Sequence, residues 1–312
     1  GTSHTDCAGQ AGFRDGGRRV GGPVDEADVQ SRARAFMAPL DLSFIRDDLS
    51  VYIAAAGAKV VKEELGEGES GYTTTTPKGR HIITVNSLEP PQRQRFTICH
   101  EIAHIILKLA SNHQEVPSWS FAKRDPNETF CDMFAAELLM PYVQWRAKLS
   151  AEEPSVQVIE HMASEFDVSF PAAASRYATL CDLPGAWVPM ERGAIRHAAR
   201  PTPLRQACAW ISPRTPVPPG SVAYRLRQTG QSGLDFGEVA QDVWFQDWEK
   251  GLDLREVARH YASTDTTGSL LWFEEDELPQ VEIGRFGQKL EDDGGLKELT
   301  GELPWPSGKK RR

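Results

Sequence analysis

The residues with the clearest chemical potential are His100, Glu101 and His104, which form a His-Glu-x-x-His pattern. Residues four apart on a helix lie on one face, about 6 Å apart along its axis, so both imidazoles can bind one ion. Neutral imidazole is a good zinc ligand. Glu101 projects about 100° away from His100, where it can accept a proton from a water at the metal. The pattern therefore predicts the centre of a zinc-dependent hydrolase with Glu101 as general base.

The residues around this pattern indicate a buried helix. Isoleucine occupies four nearby positions: Ile98, Ile102, Ile105 and Ile106. The alternative is a surface helix with two unrelated histidines, which would not need such neighbours. Burying two histidines and a glutamate is costly unless they are paired or bind a metal. The apolar context thus favours a metal centre.

A third protein ligand is expected, because a catalytic zinc site has three and leaves its fourth position for water. Glu128, on the next predicted helix, is our choice. Asp132 lies one turn later on the same face. We expect it to accept the free ring N–H of a ligating histidine and fix its tautomer. Other acidic or imidazole side chains nearby remain alternative third ligands: His113, Glu115, Asp125 and Glu137.

Longer strings around these residues resemble the ImmA/IrrE metallopeptidases. They are RFTICHEIAH at residues 95–104 and ETFCDMFAAELLMP at residues 128–141, and IITVN at residues 82–86 is similar too. The resemblance covers about residues 25–182 and implies a minimal zincin fold with Zn²⁺ as cofactor. By matching motif positions, it implies that His100, His104 and Glu128 bind the metal and that Glu101 is the general base.

The resemblance also implies a biological role. Members of this family cleave a helix-turn-helix transcriptional repressor, often after DNA damage or in defence against phages and mobile elements. We therefore expect a zinc endopeptidase whose partner is such a repressor. Asp132 departs from the family, which usually has Asn there, although Asp has the same supporting role in other glutamate-type zincins. Some members carry a GAF-like sensor domain, which the β-rich texture after residue 182 permits here.

The expected fold class is α+β, with a zincin-like domain, further helices and a β-rich C-terminal domain. Residues 1–24 are predicted to be disordered, 25–182 to form the peptidase domain with a trailing helix pair, 183–300 a regulatory domain and 301–312 a basic tail. Hydrophobic periodicity predicts helices at 25–38, 43–56, 91–109, 127–138, 156–166 and 171–180. Aromatic and β-branched runs predict strands at 59–64, 71–76, 81–86, 222–226, 243–245 and 270–273. The Pro77-Lys78-Gly79 turn predicts that the second and third of these form a hairpin.

Composition limits the class of protein. The chain has 312 residues, of which 40% are hydrophobic and 25% charged, as in soluble globular proteins. It has no apolar run long enough for a membrane span and no signal-peptide pattern, so we expect a cytoplasmic protein. Five widely spaced cysteines without a CxxC pair indicate reduced thiols. One of them, Cys7, Cys181 or Cys208, could still inhibit the site by binding its zinc.

Several roles stay open at this level. Tyr72, His161 and His197 are candidate oxyanion donors, and the strand at residues 71–76 could pair with an extended substrate. The helix pair around Asp167-Val168-Ser169 has the spacing of a DNA-binding unit. Arg176 is its one Lys or Arg, however, which favours a structural role.

The C-terminal region offers a possible nucleic-acid surface. The net charge of −9 argues against a generic nucleic-acid binder. A local run of arginines nevertheless suggests single-stranded DNA as an activator, with a solvated surface as the alternative: Arg192, Arg196, Arg200, Arg205, Arg214, Arg225 and Arg227.

Overall fold

The computed structural model describes residues 26–40, 48–66, 68–110, 125–149, 154–198, 200, 204, 207, 209–245, 248 and 252–274. The predicted disordered start and basic tail, and the alternative ligands His113 and Glu115, lie outside these residues. Among the described helices, none has both the length and the apolar character to cross a membrane.

Among the described residues, the first half has two helices, then three strands, then five helices, and strands dominate the second half, as the α+β prediction requires. The helices are α1 Glu26–Met37, α2 Ser50–Ala55, α3 Pro91–Leu107, α4 Pro126–Leu139, α5 Tyr142–Lys148, α6 Val156–Phe166, α7 Phe170–Leu180, α8 Val222–Gln228 and α9 Gln241–Trp244. The strands are β1 Ala58–Glu63, β2 Gly71–Thr75, β3 His81–Asn86, β4 Gly185–Glu191, β5 Ala194–Ile195, β6 Gly233–Ala240, β7 Asp253–Tyr261 and β8 Thr266–Trp272. A short 3-10 helix, Ala38–Leu40, follows α1.

The first half consists of a small sheet against which the helix α3 packs. Its strand order is β1-β3-β2, with β3 parallel to β1 and antiparallel to β2. The hairpin expected from the Pro77-Lys78-Gly79 turn is therefore confirmed. Strand β2 has no second neighbour among the described strands, so it forms one edge of the sheet beside α3.

Helix α3 is buried along most of its length. Its apolar side chains join those of α4 in one core, to which Ile102, Leu107, Phe134 and Leu138 contribute. Helix α1 covers the other side of α4. Rotamer freedom is small in such a packed core, so polar side chains on α3 are held in fixed positions.

The second half forms a five-stranded antiparallel sheet in the order β5-β4-β8-β7-β6. Helix α8 packs on one face and α7 contacts β4 and β8. Trp187 of β4 lies edge-on to Phe170 of α7 with ring centroids 5.8 Å apart, and it belongs to the same core as α3 and α4. The predicted boundary near residue 182 falls between α7 and β4, yet the two halves share this core.

Two predicted strands in this half are wrong. Residues 222–226 lie in helix α8, and Val243 and Trp244 lie in helix α9. Buried Glu256 of β7 explains α8, because its carboxylate accepts hydrogen bonds from the backbone N–H groups of Val222 and Ala223 at 2.9 Å each. These amides at a helix start otherwise lack partners. Their acceptor stands far away in the sequence, so local patterns cannot reveal it.

A buried ion pair joins the trailing helices to the core. Glu137 of α4 lies 2.5 Å from the guanidinium of Arg176 on α7, which also donates to the carbonyl of Met140 at 2.7 Å. The other Glu137 oxygen accepts from Arg34 of α1 and from the backbone N–H of Tyr142. Arg176 is thus enclosed within the protein, so its guanidinium is not available to a DNA phosphate.

We expect Glu137→Ala to lower the free energy of unfolding by about 3–5 kcal/mol, because Arg176 would keep its charge without its buried partner. Urea unfolding followed by tryptophan fluorescence measures this loss. Asp182→Ala is the matched control, since it removes an exposed ion pair with Arg146 and should cost no more than about 1 kcal/mol. Equal losses in the two variants would contradict a structural role for the buried pair.

Candidate metal centre

The last turns of α3 hold His100 and His104. The helix ends at Leu107, and Lys108 adopts a left-handed conformation with φ of 57°. This reversal places the carbonyl oxygen of Leu109 3.2 Å from Nδ1 of His104. Because a carbonyl only accepts hydrogen bonds, His104 must carry its proton on Nδ1, which leaves Nε2 as the electron-pair donor.

The neighbouring helix α4 orients His100, whose ring proton also lies on Nδ1. Its Nδ1 lies 2.9 Å from Oδ1 of Asp132 on α4. The carboxylate fixes the ring proton on Nδ1 and directs Nε2 toward His104. The two Nε2 atoms are 3.1 Å apart. Two lone pairs at this distance repel each other unless a cation or a proton lies between them.

Glu128 of α4 is the third residue of the cluster, after His100 and His104. Its Oε2 lies 3.0 Å from Nε2 of His100, and its Oε1 lies 3.6 Å from Nε2 of His104. Zinc bonds of about 2.0–2.1 Å in a tetrahedral site separate neighbouring ligand atoms by about 3.3 Å. Among the described residues, Oε1 of Glu128 is buried without a hydrogen-bond donor. The donor types and spacings thus fit a zinc ion held by His100, His104 and Glu128.

The protonation equilibria of the cluster also favour positive charge. Burial lowers the pKa of His100, but hydrogen bonds to Asp132 and Glu128 outweigh it and raise the pKa to about 9. For Glu128, burial raises the pKa, and the interactions with His100 and His104 reverse this and leave it well below its usual range. Both shifts show that the carboxylates stabilise a cation at this point.

Glu101 lies beside the cluster and is almost fully buried, with 1% of its surface exposed. One of its oxygens and one nitrogen of each histidine lie within 4.8 Å of one another. Its Oε2 accepts a 2.7 Å hydrogen bond from Oγ1 of Thr73 on strand β2. The sequence indicated neither Thr73 nor the Leu109 carbonyl. The first contact depends on how strand β2 packs on α3, and the second depends on the chain reversal at Lys108.

The alternative ligands that the structure describes have other roles. Asp125 caps α4 by accepting from the backbone N–H of Asn127 at 2.9 Å. Glu137 belongs to the buried ion pair with Arg176. The candidate oxyanion donors gain no support: His161 and His197 are exposed, and alternation along β2 directs Tyr72 away from the face on which Thr73 meets Glu101.

The described cysteines are poor zinc inhibitors. Burial raises the pKa of Cys99 to about 12, and it also raises the pKa of Cys131. Burial likewise raises the pKa of Cys181 to about 12, and its thiol donates to the carbonyl of Leu183. Only the thiolate binds metal. Cys7 and Cys208 lie outside the described residues.

Known proteins match the part of the chain that holds the metal-centre residues. Residues 53–177 match the family model described as the IrrE N-terminal-like domain, Peptidase_M78. This part of the chain is therefore similar to the ImmA/IrrE metallopeptidases. The chain is 30% identical over 138 residues to the radiation response metalloprotease IrrE of Deinococcus deserti, and 27% identical over 164 residues to that of Deinococcus radiodurans.

These matches are partial. They cover 43% and 50% of this chain and 46% and 48% of the relatives, so the chain spans about half the length of the curated proteins it matches. A solved Mycobacterium tuberculosis transcriptional regulator aligns over 78% of this chain and 76% of its own, with a TM-score of 0.51 and 16% identity. That similarity shows a shared fold. The IrrE-like domain contains all of the metal-centre residues.

The purified protein should contain about one zinc ion per chain, because three donors converge on one point. His100→Ala and Glu128→Ala should lose most of the metal, whereas Glu101→Gln and Glu137→Gln should keep it. Elemental analysis after gel filtration gives the stoichiometry. A Glu128→Ala protein that remains fully loaded would show that Glu128 is not a ligand.

Zinc affinity should rise about tenfold per pH unit between about pH 6 and 8, and level off above about pH 9. In the metal-free protein His100 has a raised pKa of about 9, so at lower pH zinc must displace its proton. Competition with a chromophoric chelator at fixed ionic strength measures the slope. Asp132→Asn removes one cause of the raised pKa, so its affinity should level off at a lower pH. An affinity that is independent of pH in the wild type would contradict this assignment.

Proposed function

We propose that this protein is a zinc-dependent endopeptidase that cleaves a helix-turn-helix transcriptional repressor in the cytoplasm. The observation that carries the catalytic part is the convergence of two Nε2 atoms and a carboxylate beside the buried Glu101. Zinc bound there lowers the pKa of a coordinated water to about 7 and polarises a carbonyl.

Glu101 transfers the proton, and other groups of the chain hold the histidine rings. Glu101 accepts a proton from the attacking water while the water oxygen forms a bond to the peptide carbonyl carbon. Glu101 then delivers that proton to the amide nitrogen as the C–N bond breaks, which leaves a new carboxyl and a new amine. Asp132 and the Leu109 carbonyl keep the histidine rings in place throughout.

The edge strand β2 is the proposed substrate-binding element. Its outer backbone groups have no partner strand among the described residues, so an extended peptide can add there as a fourth strand. The Thr73 hydrogen bond places this strand directly beside the base. A peptide on β2 would therefore pass over the metal centre.

Cleavage of one partner protein, rather than general proteolysis, is our proposal for specificity. Both curated relatives are named radiation response metalloproteases, which supports a regulatory role in stress. Repressor cleavage and a role in phage defence rest on the sequence resemblance. The helix pair α6–α7 is a less suitable DNA-binding unit, since Arg176 is buried and α7 packs against β4.

Single-stranded DNA is the proposed activator, and neighbouring carboxylates neutralise part of the basic run. Within the described part of the chain, ion pairs link Arg196 to Glu191, Arg225 to Asp235 and Arg227 to Asp265. Trp210 is 56% exposed, and the Arg200 guanidinium lies 5.1 Å above its ring. An exposed aromatic ring beside cations is a platform on which bases can stack. The proposed activator therefore depends on the surface around Trp210.

Incubation with a helix-turn-helix protein encoded beside this chain's gene should yield two discrete fragments, while casein stays intact. Glu101→Gln should abolish cleavage with its zinc retained, because the base is lost and the ligands remain. Mass spectrometry identifies the cleaved bond. Rapid digestion of casein by the wild type would contradict the regulatory role.

The same assay with a single-stranded oligonucleotide tests the activator. If DNA accelerates cleavage, Trp210→Ala should weaken that effect, and Phe236→Ala, which removes an exposed aromatic ring elsewhere, should not.

A further inference from the structure

Strand β2 and helix α3 meet in two successive contacts. Gly71 lies against Thr97, and Thr73 donates its hydroxyl hydrogen to Glu101. Two residues of a strand span about 6.6 Å and four residues of a helix about 6 Å, so the spacings match. The contact at Gly71 therefore sets the position of the Thr73 hydroxyl relative to the base.

Glycine is required at the first contact. A Cβ at Gly71 would stand 2.5 Å from the carbonyl oxygen of Thr84 and 2.7 Å from Cγ2 of Thr97. Any larger residue would push β2 away from α3. Close approach is what allows the short threonine side chain to reach Glu101 at 2.7 Å.

The site holds two carboxylates that could each bind the metal. Glu128 lies 3.0 Å and 3.6 Å from the two histidine nitrogens, and Glu101 offers an oxygen within 4.8 Å of them. If both entered the coordination sphere, the position for water would be lost and no base would remain. Helix geometry projects Glu101 about 100° away from His100, and its hydrogen bond with Thr73 further fixes where the carboxylate lies.

We infer that Thr73, held by the close approach at Gly71, is a positioning residue that anchors one oxygen of Glu101 on strand β2 and so keeps this carboxylate out of the metal's coordination sphere. Glu128 differs, because its Oε2 faces Nε2 of His100 at 3.0 Å and its Oε1 is buried without a hydrogen-bond donor among the described residues. The different partners of the two carboxylates make one a ligand and the other a base. This inference rests on the metal centre of the proposed function and adds the residue that divides its roles.

The test uses the full-length protein loaded with Co²⁺, whose visible absorption reports the number and type of ligands, and acetohydroxamic acid as a probe of the open position. Thr73→Val keeps the side-chain shape and loses the hydroxyl. We expect its absorption bands to shift and its affinity for acetohydroxamic acid to fall by about 10- to 100-fold, the range expected for loss of a hydrogen bond to a charged group. Thr73→Ser restores the hydroxyl and should restore both.

The matched control is Thr74→Val, the same change one residue along on the exposed opposite face, which should leave both measurements unchanged. The effect must also pass through Glu101, so Thr73→Val should cause no spectral shift in a Glu101→Gln background. Thr73→Ala serves as a second hydroxyl-free variant if Thr73→Val folds poorly.

The failures are distinguishable. A wild type that takes up neither Co²⁺ nor Zn²⁺ overturns the metal centre itself. A loaded wild type with Thr73→Val and Thr73→Ala both unchanged overturns only the role of Thr73. A spectral shift that Thr73→Ser shares, or that persists with Glu101→Gln, also overturns it, because the shift would then come from altered strand packing.

Discussion

Two imidazole lone pairs and a carboxylate meet within 3.6 Å, and this arrangement needs a cation. The surrounding fold prevents the groups from separating. Asp132 and the Leu109 carbonyl hold the outer ring nitrogens, and the core between α3 and α4 fixes both backbones. Desolvation makes the repulsion stronger, because water cannot screen the groups there. The same burial that makes the metal-free site costly makes metal binding favourable.

Other charged groups near α3 have partners that compensate their burial. Glu101 has Thr73, and Glu137 has Arg176. Asp167 lies at the turn between α6 and α7. It is 3.3 Å from Arg95 of α3 and accepts a hydrogen bond from the side chain of Gln92, also on α3. These contacts tie the trailing helices to the active-site helix, which accounts for the α6–α7 pair as a support rather than a DNA-binding unit.

The sequence was sufficient where the signal was local. The His100/His104 spacing, the isoleucines of α3 and the hairpin turn at residues 77–79 predicted their elements within a few residues. Prediction failed where a distant residue decides the outcome. Helix α8 resembles a strand in composition, but Glu256 satisfies the amides at its start. Thr73 was missed for the same reason, since its partner is reached only through sheet and helix packing.

The two halves are joined by more than a shared core, and this bears on control. Arg259 of β7 forms an ion pair with Glu160 of α6, and its guanidinium lies 5.0 Å above the ring of Phe170 on α7. A shift of β7 would therefore act on α6 and α7 together. Their connecting turn is bound to α3 through Asp167, so the path from the second sheet to the metal centre consists of direct contacts. A displacement of β7 therefore has a physical route to His100, Glu101 and His104 on α3.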